Sequence, residues 1–467
     1  MKKSLFISIF ALLFSVAVAS AQTTREEIDM HPHIAMATQS VYAAPYFFKP
    51  LADAPKGYKP FYISHYGRHG SRYESREIYR SWLHDVFHYA DSLNLLTEKG
   101  REVKAYADKV YDAQYKRVGE LTRVGFEQHK GIARRMYENF KPLFSKGAII
   151  ESRSSVRNRC IMSMAAFNES LKECEPMIET RMDVSESFQI AMRPVTNYNP
   201  LYTWELELAA TSTKKSEWGA HLRKWAANHS FEEPLSKIFT DYRPIQKLMK
   251  SDHFTFTKDL YKRLSFAQNM GWADRSLIDE IFSPEVRHKL FIYDNYYWFN
   301  SYCSTSTQIS RTFRALVRPL VEDIIEYADA AIAGKNNSTA NLRFGHDYFL
   351  LHLLGVLNFN EIPSEFDISD VEAACEKWRG YRVITMGSNL QMVFYKSKKS
   401  PEVLVRFLHN EVDVHLPIEA VEGPFYKWND VRKYMLDRLA YLDNEEWLEN
   451  ITSGDYERYY EEMYSKR

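Results

Sequence analysis

Along the chain, short apolar and β-branched runs that stop at polar, arginine-bearing turns alternate with longer stretches whose apolar residues recur every three to four positions. Tyr58 to His65 has the aromatic and β-branched make-up of a strand and ends where "YGRHG" begins. From Ser75 to about Leu143 the period becomes helical, in "TEKGREVKAYADKVYDAQYKRV" and "GELTRVGFEQHKGIARRMYENF". A second strand, Ala148 to Ser152, runs into the turn "RSSVRNRCIMSMAAF". Later, a long amphipathic helix closes at Gly334, and "NLRFG" forms a third strand that delivers His346 and Asp347 ahead of another helix. Two late runs, "ITMGSNLQMVFYKS" and "PEVLVRFLHNEVDVHLPI", alternate as a β-hairpin that closes the sheet.

Strand and helix in alternation imply an α/β domain, and open α/β sheets place ligands beyond the carboxyl ends of their strands. The stretch from Pro176 to Asn300 has few strand-like runs and reads as a helical insertion over the mouth of the sheet. The expected architecture is a three-layer α/β/α core with a mixed sheet plus a mostly helical inserted cap. Residues 22–175 form the first part of the core, with a helical excursion at 75–143; residues 176–300 form the cap, and 301–467 the rest of the core.

Composition sharpens this picture at three points. Lys2 and Lys3 precede an apolar run from Leu5 to Ala19 that ends in "ASA", so residues 1–21 read as a cleavable signal peptide and the mature chain is expected to be periplasmic or secreted. No later stretch is long and apolar enough to span a bilayer. The 61 basic and 61 acidic side chains cancel, which argues against nucleic acid or anionic lipid as partner and makes any anion site local. Cys160, Cys174, Cys303 and Cys375 allow one or two disulfides, three full pairings, or free buried thiols, and their spacing fits no zinc motif.

The local chemistry lies in "FYISHYGRHGSRYESR". Arg68, His69 and Arg72 repel one another unless an anion sits among them, and guanidinium groups hold phosphoryl oxygens in fixed bidentate geometry. Arg159 on the second strand-end loop and His346 with Asp347 on the third complete a phosphate toolkit. His69 is the available nucleophile, attacking phosphorus as a neutral imidazole. Asp347 is the carboxyl group that would protonate the departing alkoxide. Read singly, Arg68 and Arg72 could pair with Glu74 on the surface, and His346 could be a core histidine; three converging loops with complementary chemistry favour phosphate. Arg76 and Arg80 could hold further phosphates of a polyphosphorylated substrate, but the favoured reading of each is solvated helix-face charge. The rival function is a non-catalytic binder of phosphorylated ligands using the same arginine cradle.

These residues resemble the histidine acid phosphatases, the family that contains acid phosphatases, phytases and multiple inositol polyphosphate phosphatases. "RHGSRY" is similar to the family's R-H-G-x-R-x-P loop, "GELTRVGFEQ" to its G-x-L-T-x-x-G-x-x-Q segment, and "LRFGHDYFLLHLLGVLNF" to its H-D strand and helix. The resemblance implies His69 as nucleophile, Asp347 as proton donor, and Arg68, Arg72, Arg159 and His346 as phosphate binders. It implies a small phosphate ester as substrate, phytate or other inositol phosphates among them, and no metal or cofactor. Glu74 stands where the family usually has proline, and "HDY" keeps the pair of acid phosphatases and phytases. A second pair, His409 and Glu411, mimics an H-x-E arrangement but lies within an alternating strand pattern rather than at a strand end before a helix.

Overall fold

The computed structural model describes residues 22–74, 82–193, 216–249, 253–305 and 316–443. The expected leader, Arg76 and Arg80 lie outside the described residues. The strands are β1 (Tyr58–Arg68), β2 (Ile149–Ser154), β3 (Glu179–Asp183), β4 (Ser338–Gly345), β5 (Asn389–Ser397), β6 (Ser400–His409), β7 (Val412–Val414) and β8 (Tyr426–Lys427). They form one mixed sheet in the order β3-β2-β4-β1-β5-β6-β7, with β8 beside β6. The first four of that order run parallel, and β5 onward is antiparallel. Among the helices are α1 (Thr24–Met30), α2 (Trp82–Ser92), α3 (Glu98–Gln114), α4 (Arg123–Asn139) and α5 (Asn158–Cys174).

The strand period of two sorts the core onto two faces. Tyr62 and Tyr66 of β1 join a buried cluster with Leu320 and Ile324 of the helix Arg318–Ile332 and Phe349 and Leu353 of the helix Asp347–Leu357. Ile63, between them, faces the other way with Leu342 and Phe344 of β4, against Ile132 and Met136 of α4 and Phe167 and Leu171 of α5. Helices thus cover both faces of the sheet, giving the three layers expected. The late hairpin is present as β5 and β6.

Two elements differ from the sequence reading. β1 runs on to Arg68 instead of ending at His65, because Gly67 and Arg68 pair with Phe344 and Gly345. Where the pattern suggests helix after Pro176, Glu179–Asp183 first adds β3 to β2. That strand is polar, lies at the sheet's edge and is exposed along most of its length, so it carries no alternation to betray it. Among the described residues all four cysteines are free thiols.

A third apolar cluster fills the helical layer and draws on α1, α2, α3, the segment from Trp218 to Tyr296, and Val371 to Tyr381. Its polar edge ties distant parts of the chain together. Glu27 of α1, 1% exposed, is paired with Arg379 and Arg382, and the Thr24 backbone N–H donates to Glu376.

Beneath the end of β1 lie two imidazoles without an acid partner. Burial, then His129 and Arg343, pushes His65 down to about 3. Burial likewise pushes His129 down to about 3, and neither of its ring nitrogens makes a well-formed hydrogen bond. Free imidazoles titrate near about 6.5, so the unfolded chain binds more protons than the folded one between about pH 6.5 and 3. Stability is therefore expected to fall as pH drops through that window. His129→Leu removes one of the two groups, and its thermal midpoint should decline less steeply than that of the wild type between about pH 6.5 and 4; parallel declines would assign the acid sensitivity to other groups.

Candidate active site

The register of the parallel strands brings three strand ends to one edge: Arg68 stands opposite Gly345, and Ser154 opposite Phe344. The His69 backbone N–H donates to the Gly345 carbonyl at 3.0 Å, so the first loop is stitched to the third. Arg68 closes β1 with a side chain that is 1% exposed. Its Nη1 donates to the carbonyls of Thr38 and Ile384 at 2.6 and 3.0 Å, and its Nη2 to Asp347 Oδ2 at 2.7 Å. Burial lowers the guanidinium to about 10 while Asp347 works in the opposite direction.

His69 is fixed by one contact that also sets its tautomer. Nδ1 lies 2.9 Å from the Gly70 carbonyl, and a carbonyl oxygen only accepts, so Nδ1 carries the proton and Nε2 keeps its lone pair. Burial, followed by Arg159, Arg68, Arg72 and His346, holds this imidazole far below its ordinary titration range. It stays neutral in acid, as a nucleophile requires.

His346 packs edge-on against His69 with ring centroids 5.8 Å apart. Its Nε2 lies 3.0 Å from Ser155 Oγ, Arg159 Nη2 makes a long 3.5 Å contact with Nδ1, and its backbone N–H donates to the Tyr66 hydroxyl at 3.1 Å. Burial, then Arg159, Arg193, Arg157 and Arg68, keeps it neutral as well. Asp347 opens the following helix, where a carboxylate suits the helix dipole. Burial pushes its carboxyl up, but Arg68, the Tyr348 N–H, Arg72 and Arg159 outweigh burial and hold it below the usual carboxylate range. The Nε groups of Arg68, Arg72 and Arg159 are buried without a hydrogen-bond partner, three donors in an arginine-lined site.

The loop between Gly70 and Glu74 owes its shape to "GELTRVGFEQ". Gly70 lies so close to α4 that a Cβ there would stand 2.6 Å from the Gly125 carbonyl, and a Cβ on Gly125 would run into the Ser71 carbonyl. Only two glycines permit this backbone-on-backbone approach. Gln128 accepts from the Ser71 N–H at 2.8 Å and donates to the Ser71 hydroxyl at 2.9 Å. Thr122 caps α4 and bonds the Ser71 and Asn269 carbonyls, linking loop and helical layer. Arg72 forms a bridge with Leu121. The Glu74 N–H donates to Gln114 Oε1 at 2.8 Å, a bond that a proline at that position could not make.

The structure thus gathers Arg68, His69, Arg159, His346 and Asp347 at one edge, with Arg72 acting on His69, Asp347 and Arg159 through its charge. His409 and Glu411 are engaged elsewhere. His409 Nε2 donates to the Val383 carbonyl, and Glu411 sits in the hairpin turn at φ 68°, held by Arg135 and the Tyr42 hydroxyl. Sequence reasoning missed Tyr66, Ser155 and Ser163. Ser163 Oγ accepts from the Gly70 N–H at 3.1 Å, and nothing in its local pattern marks it.

Residues 67–410 match the family model described as histidine phosphatase superfamily (branch 2). Among solved structures, the chain is similar to a multiple inositol polyphosphate phosphatase from Bifidobacterium longum in complex with inositol hexasulfate. The identity is 18%, the TM-score 0.70, and the match covers 86% of this chain and 97% of that one. It is also similar to a phytase from D. castellii, at 14% identity and TM-score 0.59 over 90% of this chain and 89% of that one. A phytase from Citrobacter braakii matches at 13% identity and TM-score 0.51, over 83% and 98% of the two chains. No curated protein matches the sequence.

The glycine contact gives a direct test of the loop scaffold. Gly125→Ala should displace Ser71 and with it His69, lowering kcat/KM for a phosphate ester by about 10²-fold, in keeping with an ångström-scale misplacement. Gly131→Ala, on the same helix and facing only the flexible end of Arg135, is the control and should keep its activity. Equal activity in both variants would separate the loop's position from α4.

Proposed function

Because the chain belongs to branch 2 of the histidine phosphatase superfamily and is a phosphatase, we propose that it hydrolyses phosphate monoesters through a phosphohistidine on His69. The observation that carries the reading is the His69 tautomer, with Nδ1 bound to Gly70 and the Nε2 lone pair left free amid three arginines. Arg68, Arg72, Arg159 and His346 bind the phosphoryl oxygens and spread the charge of the transition state. Nε2 attacks phosphorus as the P–O bond to the alcohol breaks, and Asp347 gives its proton to the departing oxygen. Water then attacks the phosphohistidine, Asp347 takes up the proton of that water, and inorganic phosphate leaves with His69 restored. The bound dianion supplies what Asp347 lacks in the free protein, since it offsets the arginines and raises the carboxyl toward protonation.

Phytate and related inositol polyphosphates are the substrates we put forward, a reading supported by the names of the fold neighbours. Export follows from the basic and apolar N-terminal sequence, with cleavage after Ala21. Among the described residues no helix is long and apolar enough to cross a membrane. Mass spectrometry of the chain recovered outside the cytoplasm should give an N-terminus at Gln22; an intact Met1 in that fraction would remove the leader from the account.

Phosphate release from phytate and from p-nitrophenyl phosphate, at mildly acid pH and in the presence of a chelator, tests the chemistry. Wild type should turn over both, and His69→Ala neither; a wild type that binds phosphate without turnover would make the protein a binder. Asp347→Asn should slow phytate by about 10²- to 10⁴-fold and the nitrophenyl ester far less, because only the poor leaving group needs the proton. As pH rises the donor ionises, so wild-type kcat on phytate should fall on the alkaline side while Asp347→Asn stays flat. Equal losses on both esters would take the donor role from Asp347.

A further inference from the structure

We propose that His84, His88 and Asp108 form a binding site for a divalent transition metal of the zinc class, on the outer surface of the helical layer. The site shares no residue with the candidate active site and does not depend on the phosphatase reading.

α2 buries Leu83, Val86, Phe87 and Ala90, which turns His84 and His88 outward, one turn apart on the same face. Their ring centroids stand 3.9 Å apart. α3 buries Val103, Ala107 and Val110 and presents Asp108 to the same spot, with Oδ2 3.7 Å from His88 Nε2. One ligand atom from each of the three lies within 4.8 Å of the others, and among the described residues this is the group of histidine, cysteine and carboxylate side chains that converges in this way.

The donor set suits zinc, which binds imidazole nitrogen and carboxylate oxygen at about 2.0–2.2 Å and accepts water in the fourth position. Tetrahedral ligands at that range are about 3.4 Å apart, so the three groups need to close by about 1 Å. All three side chains are exposed enough to rotate, at 42%, 46% and 34%. Two neighbouring charges complete the arrangement. Asp85 Oδ1 lies 3.6 Å from His84 Nδ1 and adds negative charge beside the cluster. Lys104 lies 3.5 Å from Asp108 but also 3.7 Å from Asp91, which gives the lysine another partner when Asp108 turns to the metal.

Without a metal, the two tilted imidazoles gain little from each other. With one, the cation joins α2 to α3 and stabilises the folded chain by mass action.

The test uses the full chain stripped with chelator and titrated with Zn²⁺ against a competing chromogenic chelator. Wild type should take up one Zn²⁺ that His84→Ala and His88→Ala each weaken by more than about tenfold, the range seen even for supporting groups. Zn²⁺ should raise the thermal midpoint of wild type and not of either variant. Far-UV circular dichroism and ester turnover of the stripped proteins should be the same in all three, which separates loss of the metal from loss of the fold. No uptake by wild type, or equal uptake and equal thermal shifts in all three proteins, would overturn the proposal.

Discussion

A fully buried guanidinium sets the terms for the rest of this molecule. Arg68 has 1% of its side chain exposed, and an unpaired charge at that depth is unsustainable. Three groups pair with its terminal nitrogens: the Thr38 carbonyl from the N-terminal segment, the Ile384 carbonyl from the approach to β5, and Asp347 from the strand end opposite. Removing the acid alone would strand the charge at a cost of about 3 kcal/mol or more. One side chain thereby ties the N-terminal segment, both central strands and the carboxyl group at the site into a single arrangement.

That arrangement bears on the electrostatics of the neighbouring histidines. Burial first, and then Arg159 and Arg68, hold both His69 and His346 neutral, with Arg72 adding to the field on His69; at Asp347 burial works against ionisation, and Arg68, the Tyr348 N–H, Arg72 and Arg159 outweigh it. The resting site therefore carries imidazoles kept neutral where free ones would be charged in mild acid, beside an aspartate that is ionised there as a free one would be. In the proposed reaction, an arriving phosphate would offset the arginines that hold the Asp347 carboxyl down. Cys160, at 3.8 Å from His346 Nε2, takes no part as an anion, since burial pushes its thiol up to about 11.

Much of this was legible in the sequence, and for identifiable reasons. The strand ends at "YGRHG", "RSSVRNRC" and "RFGHD" declare themselves because buried strands are apolar and the turns after them are not. The likeness of "GELTRVGFEQ" to a family segment is also plain, but its purpose is not. That Gly125 meets Gly70 and that Gln128 clasps Ser71 are facts of packing between elements more than 50 positions apart. β3 escaped because a polar edge strand has no alternation. The composition of the helical layer escaped for a related reason. Its members are individually amphipathic, and amphipathicity says that a face is buried without saying against what.

The pairing of α1 with the segment near Arg379 reaches beyond architecture. Thr24 and Glu27 find their partners 352 positions downstream, and the layer they help to close is assembled from chain that emerges early, midway and late. Contacts of such separation are slow to form, because the intervening chain must be ordered before they can reward it. A ribosome or a translocation channel releasing this polypeptide N-terminus first would hold α1 waiting until most of the sequence had appeared. The buried Glu27 would stay hydrated and unpaired throughout that interval, which makes the last third of synthesis the step that commits the first helix to its place.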